Sequence, residues 1–165
     1  MQLAALGWDE YFAQQFEPCK RDGLVPARII EQNKNRYIAC GEQGEWQAEV
    51  TGRFIHVHAG LEGFPAVGDW VILTALPGED RALIHALLHR KTQFVRRAAG
   101  SVVVEQVVAA NVDVVFIVTG LDGNFNVRRI ERYVTEAWSS GAQPVVLLNK
   151  SDLCGDVEGC IRAVE

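Results

Sequence analysis

The chain lacks three features that would point to common functions: an excess of positive charge, a long apolar segment and closely spaced cysteines. Its 165 residues carry 16 Lys and Arg against 21 Asp and Glu, which argues against coating nucleic acid through overall charge. The apolar runs are far shorter than the roughly 20 residues needed to cross a bilayer. No basic residue precedes a long apolar core at the N-terminus. We therefore expect a cytoplasmic protein without a membrane partner.

Cysteine and histidine spacing excludes two further classes of site. The four cysteines form no Cys-x-x-Cys pair, so neither a zinc site nor a disulfide framework is indicated. His56 and His58 would share one face of a strand, but no third ligand is near them in the sequence. We expect no metal site, and free thiols at Cys19, Cys40, Cys154 and Cys160.

A phosphate loop of the form Gly-x-x-x-x-Gly-Lys-[Ser/Thr] is also absent, although another signature of GTP-binding proteins is present. Asn149-Lys150-Ser151-Asp152 directly follows the apolar run 144–148. Asn-Lys-x-Asp reads guanine in such proteins, where the phosphate loop ordinarily comes first. Either the order of the motifs is permuted in this chain or the motif is accidental.

The chemistry of guanine explains the three residue types of this motif. A carboxylate accepts two parallel hydrogen bonds from the N1–H and the exocyclic amine of guanine, an arrangement that adenine lacks, and Asp152 would select guanine in this way. The stem of Lys150 can lie across the base, and the Asn149 amide can tie the loop to backbone and to the base edge. These three residues form our candidate nucleotide site, which should lie at the carboxyl end of a parallel strand.

Residues 24–91 have the pattern of a small barrel. Short apolar segments separated by polar or glycine-bearing breaks predict five strands, at 24–31, 36–40, 46–54, 70–76 and 82–88. So many short strands in so few residues favour a closed barrel of the OB or SH3 type. In the lead segment 1–23, Trp8, Phe12 and Phe16 repeat every four residues, which predicts a short helix that packs on the barrel.

From residue 106 the pattern changes to that of an α/β domain, after a predicted linker at 92–105. An apolar strand at 112–118, a helix at 126–140 and the strand at 144–148 predict one βαβ crossover with a parallel sheet. Gly141 is placed to end that helix, and a further helix begins at Asp156. Because a two-stranded parallel sheet cannot bury both of its faces, we expect the domain 106–165 to be incomplete.

The stretch from His89 to Arg97 reverses the acidic balance of the chain. It carries four formal positive charges and one aromatic residue without any acid. Such a stretch can neutralise several phosphates and stack one base. The alternative interpretation is a solvated linker. The residues that we expect to contact RNA are Arg90, Lys91, Phe94, Arg96 and Arg97.

Seven segments in order along the chain carry a resemblance to a known family. In the barrel region they are 51–54 (TGRF), 64–71 (FPAVGDWV) and 90–92 (RKT), and in the α/β region 105–113 (EQVVAANVD), 124–133 (NFNVRRIERY), 137–142 (AWSSGA) and 149–153 (NKSDL). Together they closely resemble RsgA, the ribosome-small-subunit-dependent GTPase family of bacteria. The resemblance covers nearly the whole chain.

The resemblance implies a five-stranded OB-type barrel followed by an incomplete parallel α/β domain, the first part of a circularly permuted P-loop GTPase. In that order the base-reading motif precedes the phosphate loop. The resemblance also implies binding to the small ribosomal subunit and its 16S rRNA, with GTP hydrolysis during late 30S maturation. GTP or GDP with Mg²⁺ and a structural Zn²⁺ would be the cofactors of a monomeric full-length parent.

Relative to that family, the phosphate loop, the metal loop and the zinc ligands would follow residue 165. We therefore expect a chain that is catalytically inactive alone, contains no catalytic residue that can be named and holds no cofactor firmly. An alternative is a stand-alone OB-fold module that binds RNA or the ribosome and retains a vestigial GTPase segment. An exposed sheet edge after Asn149 would invite dimerisation of the truncated chain.

Overall fold

The computed structural model describes residues 2–33, 36–57, 63–97 and 105–165, which form two compact units that divide between Asn111 and Val112. We refer to them as the barrel unit and the α/β unit. A closed five-stranded barrel precedes a parallel strand pair in the chain. The fold class predicted from the sequence is thus confirmed.

The barrel closes with the strand order of an OB-type fold. Its strands are β1 (Val25–Asn33), β2 (Arg36–Gly41), β3 (Gly44–Val50), β4 (Trp70–Ala75) and β5 (Arg81–Leu87). They are hydrogen-bonded in the order β1-β2-β3-β5-β4, and β4 returns to β1. All neighbours are antiparallel except β3 and β5, which run in parallel. Of the two barrel types considered, the structure supports the OB type.

Alternating side chains fill the barrel because successive residues of a strand face opposite sides. Ala27 and Ile29 of β1 are buried in the main core together with Trp46 of β3. Strand β4 departs from alternation: all four residues from Trp70 to Leu73 are buried. The outward ring of Trp70 belongs to a second cluster, in which the N-terminal segment covers the barrel.

That covering segment is the helix predicted from the aromatic spacing. Helix α1 (Glu10–Phe16) begins after Asp9, whose carboxylate accepts a hydrogen bond from the Tyr11 N–H at 3.1 Å. A capping carboxylate of this kind satisfies one of the free N–H groups at a helix start. Phe12 is buried, and its ring lies 5.9 Å from that of Trp70. The helix therefore packs on the barrel as expected.

Residues 93–97 form a strand, although the sequence analysis assigns them to a linker at 92–105. Strand β6 (Gln93–Arg97) pairs antiparallel with β7 (Glu105–Ala110). The hairpin is held to the barrel unit through the buried side chains of Val107 and Ala110, against which Ala66 packs. The barrel unit consequently extends to Asn111, beyond the predicted boundary after residue 105.

A polar junction joins the end of β7 to the loop before β4. The Asn111 side chain accepts a hydrogen bond from the Lys91 N–H at 2.8 Å and donates one to the Gly68 carbonyl at 3.0 Å. Gly68 has φ +92°, and a Cβ there would lie 2.0 Å from the Ala110 carbonyl oxygen. Only glycine fits this position. The Arg28 guanidinium donates to the Gly68 and Asn111 carbonyls at 3.2 and 3.0 Å and completes the junction.

One predicted strand is wrong in its second half. The segment 46–54 splits into β3, which ends at Val50, and a short helix α2 (Gly52–Val57). The Thr51 hydroxyl accepts a hydrogen bond from the Phe54 N–H at 3.2 Å, and this local cap competes with strand pairing. His56 consequently lies on a helix, and His58 lies outside the described residues.

The α/β unit contains the predicted crossover. Its elements are β8 (Val114–Gly120), α3 (Val127–Ser139), β9 (Gln143–Asn149) and α4 (Val157–Arg162). Helix α3 begins after Asn126, whose side chain accepts a hydrogen bond from the Arg129 N–H at 3.0 Å, and Gly141 follows its end with φ +87°. Strands β8 and β9 pair in parallel over their full length. The predicted βαβ arrangement is confirmed.

A buried ion pair stabilises the barrel unit. The Arg90 guanidinium contacts both carboxylate oxygens of Asp69, at 2.8 and 2.7 Å, and donates to the Phe64 carbonyl at 3.0 Å. The side chain of Asp69 is 0% exposed and that of Arg90 is 11% exposed. Asp69 also accepts a hydrogen bond from the Ala66 N–H at 2.7 Å. The Arg90 guanidinium and the Ala66 N–H would both lose a hydrogen-bond acceptor if the Asp69 carboxylate were removed.

We expect Asp69→Ala to lower the free energy of unfolding by about 3–5 kcal/mol, because it removes the carboxylate that balances the buried charge of Arg90. Urea unfolding followed by tryptophan fluorescence measures the change. Glu79→Ala is the matched control, since it removes a carboxylate from the exposed Arg81–Glu79 pair and should change stability by about 1 kcal/mol or less. Equal effects of the two substitutions would contradict the assignment.

Candidate guanine-binding site

Two loops meet at one edge of the α/β unit because β8 and β9 run in parallel and in register. Thr119 pairs with Leu148 and Gly120 with Asn149, so both strands end at the same level. The Leu121 N–H then donates to the Asn149 carbonyl at 2.8 Å. The predicted motif accordingly begins at the carboxyl end of a parallel strand, where open α/β sheets bind ligands.

The backbone turns sharply at the start of the motif. Lys150 has φ +59° and ψ +39°, a left-handed conformation that is uncommon for a residue other than glycine. Its N–H donates to the Asn149 side-chain oxygen at 2.8 Å, so the Asn149 side chain is hydrogen-bonded to the loop backbone. Residues Ser151–Leu153 follow as one turn of 3-10 helix, which includes Asp152. Asn149, Lys150 and Asp152 are all exposed to solvent.

A carboxylate from the neighbouring loop binds the lysine of the motif. The Lys150 ammonium lies 2.5 Å from an Asp122 carboxylate oxygen, with side-chain exposures of 52% and 28%. The other Asp122 oxygen accepts a hydrogen bond from the Asn124 N–H at 3.0 Å. The hydrogen bond from Lys150, followed by that from Asn124, lowers the pKa of Asp122 below its ordinary value. The carboxyl therefore stays ionised to a lower pH than a free aspartate.

Asp122 is the site residue that the sequence analysis missed. Asp122 lies two residues after the end of β8, and Lys150 lies one residue after the end of β9. The rule that side chains after neighbouring parallel strands meet at one edge could have identified it. The contact joins residues 28 positions apart, and the spacing of a linear motif does not reveal such a pair.

The five residues predicted to contact RNA have unlike surroundings. Arg90 is engaged in the buried pair with Asp69, and the Lys91 ammonium forms an ion pair with Asp9 and lies 5.1 Å from the centre of the Phe12 ring. Phe94 is partly buried. Arg96 and Arg97 belong to β6, but their side chains lie outside the described residues. The basic charge at 90 and 91 thus has structural partners within the barrel unit.

A groove of about 410 Å³ lies on the barrel surface, between residues that the sequence analysis did not single out. It is lined by polar and charged groups from β1, β2, β3 and β5, among them Asn33, Arg36, Gln47, Glu49 and Arg81. Arg36 and Glu49 form an exposed ion pair at 3.7 Å. In OB-type barrels the face of the second and third strands binds oligonucleotides.

Two kinds of feature are absent from the described residues. Within 2–33, 36–57, 63–97 and 105–165, no group of three or more His, Cys, Asp and Glu side chains is arranged to hold a metal ion. Over the same ranges, no helix has the length and hydropathy that crossing a membrane requires.

Two solved structures share the fold of this chain, and one of them is described as a circularly permuted GTPase. The structure described as YloQ, a circularly permuted GTPase, superposes with a TM-score of 0.65 and 19% identity, covering 86% of this chain and 47% of that one. YjeQ from Thermotoga maritima superposes with the same TM-score and 22% identity, over 86% and 47% of the two chains. At these identities the likeness shows the fold.

Relatives and a family model extend this likeness to the sequence. Residues 87–165 match the model of the RsgA GTPase family. Small ribosomal subunit biogenesis GTPase RsgA of Opitutus terrae is 48% identical over 96% of this chain and 46% of its own length. The protein of the same name from Syntrophotalea carbinolica is 40% identical over 100% of this chain and 47% of its own length. The chain thus spans about half the length of these curated relatives, and it belongs to the RsgA family.

Proposed function

We propose that this chain supplies the guanine-reading half of the nucleotide site in a GTPase that acts in biogenesis of the small ribosomal subunit. The observation that carries the proposal is the placement of Asn149, Lys150 and Asp152 at the carboxyl edge of the parallel strand pair. Asp152 discriminates guanine by accepting two hydrogen bonds from its edge. Lys150 contacts the base through its methylene stem, and Asn149 shapes the loop.

Hydrolysis of GTP requires groups that this sequence does not contain. Phosphoryl transfer depends on positioned phosphates and Mg²⁺, and the 165 residues include no Gly-x-x-x-x-Gly-Lys-[Ser/Thr] segment. We therefore assign turnover, Mg²⁺ binding and a structural Zn²⁺ to a full-length parent that resembles the relatives in length. The chain alone binds nucleotide weakly and turns over no GTP. Its place of action is the cytoplasm, where ribosomes are assembled.

The barrel unit is the proposed contact with the small subunit and its 16S rRNA. Two features support it: the polar groove on the face of β2 and β3, and the pair Arg96 and Arg97 on β6. Because Arg90 and Lys91 have partners inside the barrel unit, Arg96 and Arg97 are the stronger candidates in the basic stretch. Neutralising phosphates with such arginines would make the binding salt-dependent.

An RNA-binding module with a vestigial GTPase segment is the second candidate function. It is favoured by the difference in packing between the two units. The barrel has a closed core, whereas one face of the α/β sheet exposes Phe116 and Val118 at 64% and 61%. We further propose that the isolated chain self-associates through this exposed sheet, whereas the full-length parent is monomeric. The two candidate functions differ in whether guanine is discriminated.

We expect Asp152→Ala to abolish the preference of the chain for GDP over ADP, because the carboxylate that pairs with the guanine edge is gone. Titrations of ¹⁵N-labelled protein with each nucleotide, followed by NMR, measure both dissociation constants even when binding is weak.

Asp152→Asn sharpens the test. An amide offers a donor where the carboxylate only accepts, so this variant should lose GDP binding and bind xanthosine diphosphate, whose ring carries an oxygen in place of the amine. Asp113→Asn is the matched control, since Asp113 is exposed and precedes β8 instead of following it. Unchanged GDP preference in Asp152→Ala would contradict the nucleotide proposal and leave the RNA-binding module.

We expect replacement of both Arg96 and Arg97 by Ala to weaken binding of the chain to small ribosomal subunits. The loss of two phosphate contacts should reduce the slope of log affinity against log salt by about 2. Sedimentation with purified 30S subunits at several KCl concentrations measures the slope.

The matched control for this experiment replaces Arg128 and Arg132, two exposed arginines of α3, by Ala. It removes the same charge from the other unit and should leave the slope unchanged. If both double variants lowered affinity equally, the effect would reflect overall charge and the assignment to β6 would be wrong.

A further inference from the structure

We propose that Asp122 is a positioning residue for guanine recognition, acting through its ion pair with Lys150. This inference rests on the proposed nucleotide-binding function of the Asn149–Asp152 loop. The geometry that carries it is the contact of 2.5 Å between the Lys150 ammonium and an Asp122 carboxylate oxygen. Neither the guanine-reading motif nor the family match assigns a role to residue 122.

Asp122 is itself held in place, which a positioning residue requires. One carboxylate oxygen accepts the Asn124 N–H at 3.0 Å while the other receives Lys150. The carboxylate also packs over Gly120, where a Cβ would lie 3.1 Å from its nearer oxygen. The acceptor is therefore fixed against β8, whereas the lysine stem that it holds is long and has many rotamers.

The lysine needs such a partner because its own backbone is unusual. Lys150 has φ +59°, and the left-handed region is disfavoured for residues with a Cβ. Contacts of the side chain with a fixed carboxylate favour this turn over extended alternatives. The left-handed turn at Lys150 determines where the 3-10 segment with Asp152 begins. Asp122 thus orders the loop before any ligand arrives.

Order in the free loop has a direct consequence for binding. A lysine stem that is already restrained loses less conformational entropy when a base packs against it, so affinity rises without a new contact to the ligand. Asp122 forms no pair with the guanine edge in this scheme, because Asp152 carries the discrimination. Removing Asp122 should therefore weaken GDP binding while the preference over ADP remains.

The test measures GDP and ADP dissociation constants by NMR for the whole chain and its variants. Asp122→Asn keeps the shape and the acceptor for Asn124 but loses the charge, and we expect GDP affinity to fall about 2- to 5-fold, the range of an exposed ion pair. Glu136→Gln removes the same charge from an exposed position of α3 and should leave the affinity unchanged.

Two readouts separate positioning from a general loss of structure. In a Lys150→Met background, Asp122→Asn should have no further effect on GDP affinity, because the two residues act as one unit. The difference between wild type and Asp122→Asn should also shrink from 20 mM to about 1 M KCl, where exposed charges are screened. Amide spectra of residues outside the two loops report whether each variant is folded.

Each other outcome overturns the inference. If Asp152→Ala abolished the GDP preference while Asp122→Asn matched Glu136→Gln, the nucleotide function would stand and the role of Asp122 would fall. An effect of Asp122→Asn that persisted without Lys150 would show that it does not act through the lysine. If the wild-type chain did not prefer GDP to ADP, the proposed function and this inference would fall together.

Discussion

The parallel, in-register pairing of β8 and β9 is the constraint on which the candidate site depends. Because both strands run in the same direction and end at the same level, the residues that follow them are brought to one edge of the sheet. Asp122 and Lys150 then meet although the whole of α3 separates them in the sequence. A slip of one residue in this register would turn the side chains of one strand to the opposite face and separate the pair.

The same pairing leaves a problem that the described residues of the α/β unit do not solve. A parallel sheet is stable when both of its faces are covered, and α3 packs on β8 and β9 while Phe116, Val118 and Leu147 remain exposed. An apolar face of this kind is typical of a surface that meets more protein. The curated relatives are about twice as long as this chain.

Much of this architecture could be predicted from residue patterns. The spacing of Trp8, Phe12 and Phe16 located α1, and the apolar runs located the barrel strands and the β8–β9 pair to within a few residues, because burial of one face imposes a period on the sequence. Strands β6 and β7 were not predicted. Helix α2 was missed because its start depends on a local hydrogen bond of Thr51 to the Phe54 N–H. Such a cap leaves little trace in the hydrophobic pattern. The pairing of β4 with β5 and β1 likewise could not be predicted from the local sequence.

The pairing of charged side chains was the property least well predicted from the sequence. The run from His89 to Arg97 reads as a solvated basic patch, yet Arg90 is paired with Asp69 across 21 residues and Lys91 with Asp9 across 82. Whether a cation is free or paired depends on tertiary contacts of this length. Asp122 shows the same dependence on tertiary contacts, because nothing in its local sequence marks it as the ion-pair partner of Lys150. A linear motif predicts which residues contact a ligand, whereas the pairs that hold those residues depend on tertiary contacts.

We propose that the loops after β8 and β9 together form one guanine-binding edge. Mapping amide chemical-shift changes over the whole chain during titration with guanosine and then with adenosine tests it most directly. We expect chemical-shift changes with guanosine to be confined to residues 120–124 and 149–153, and the changes with adenosine to be much smaller. Changes centred on the barrel, or equal responses to the two nucleosides, would contradict it.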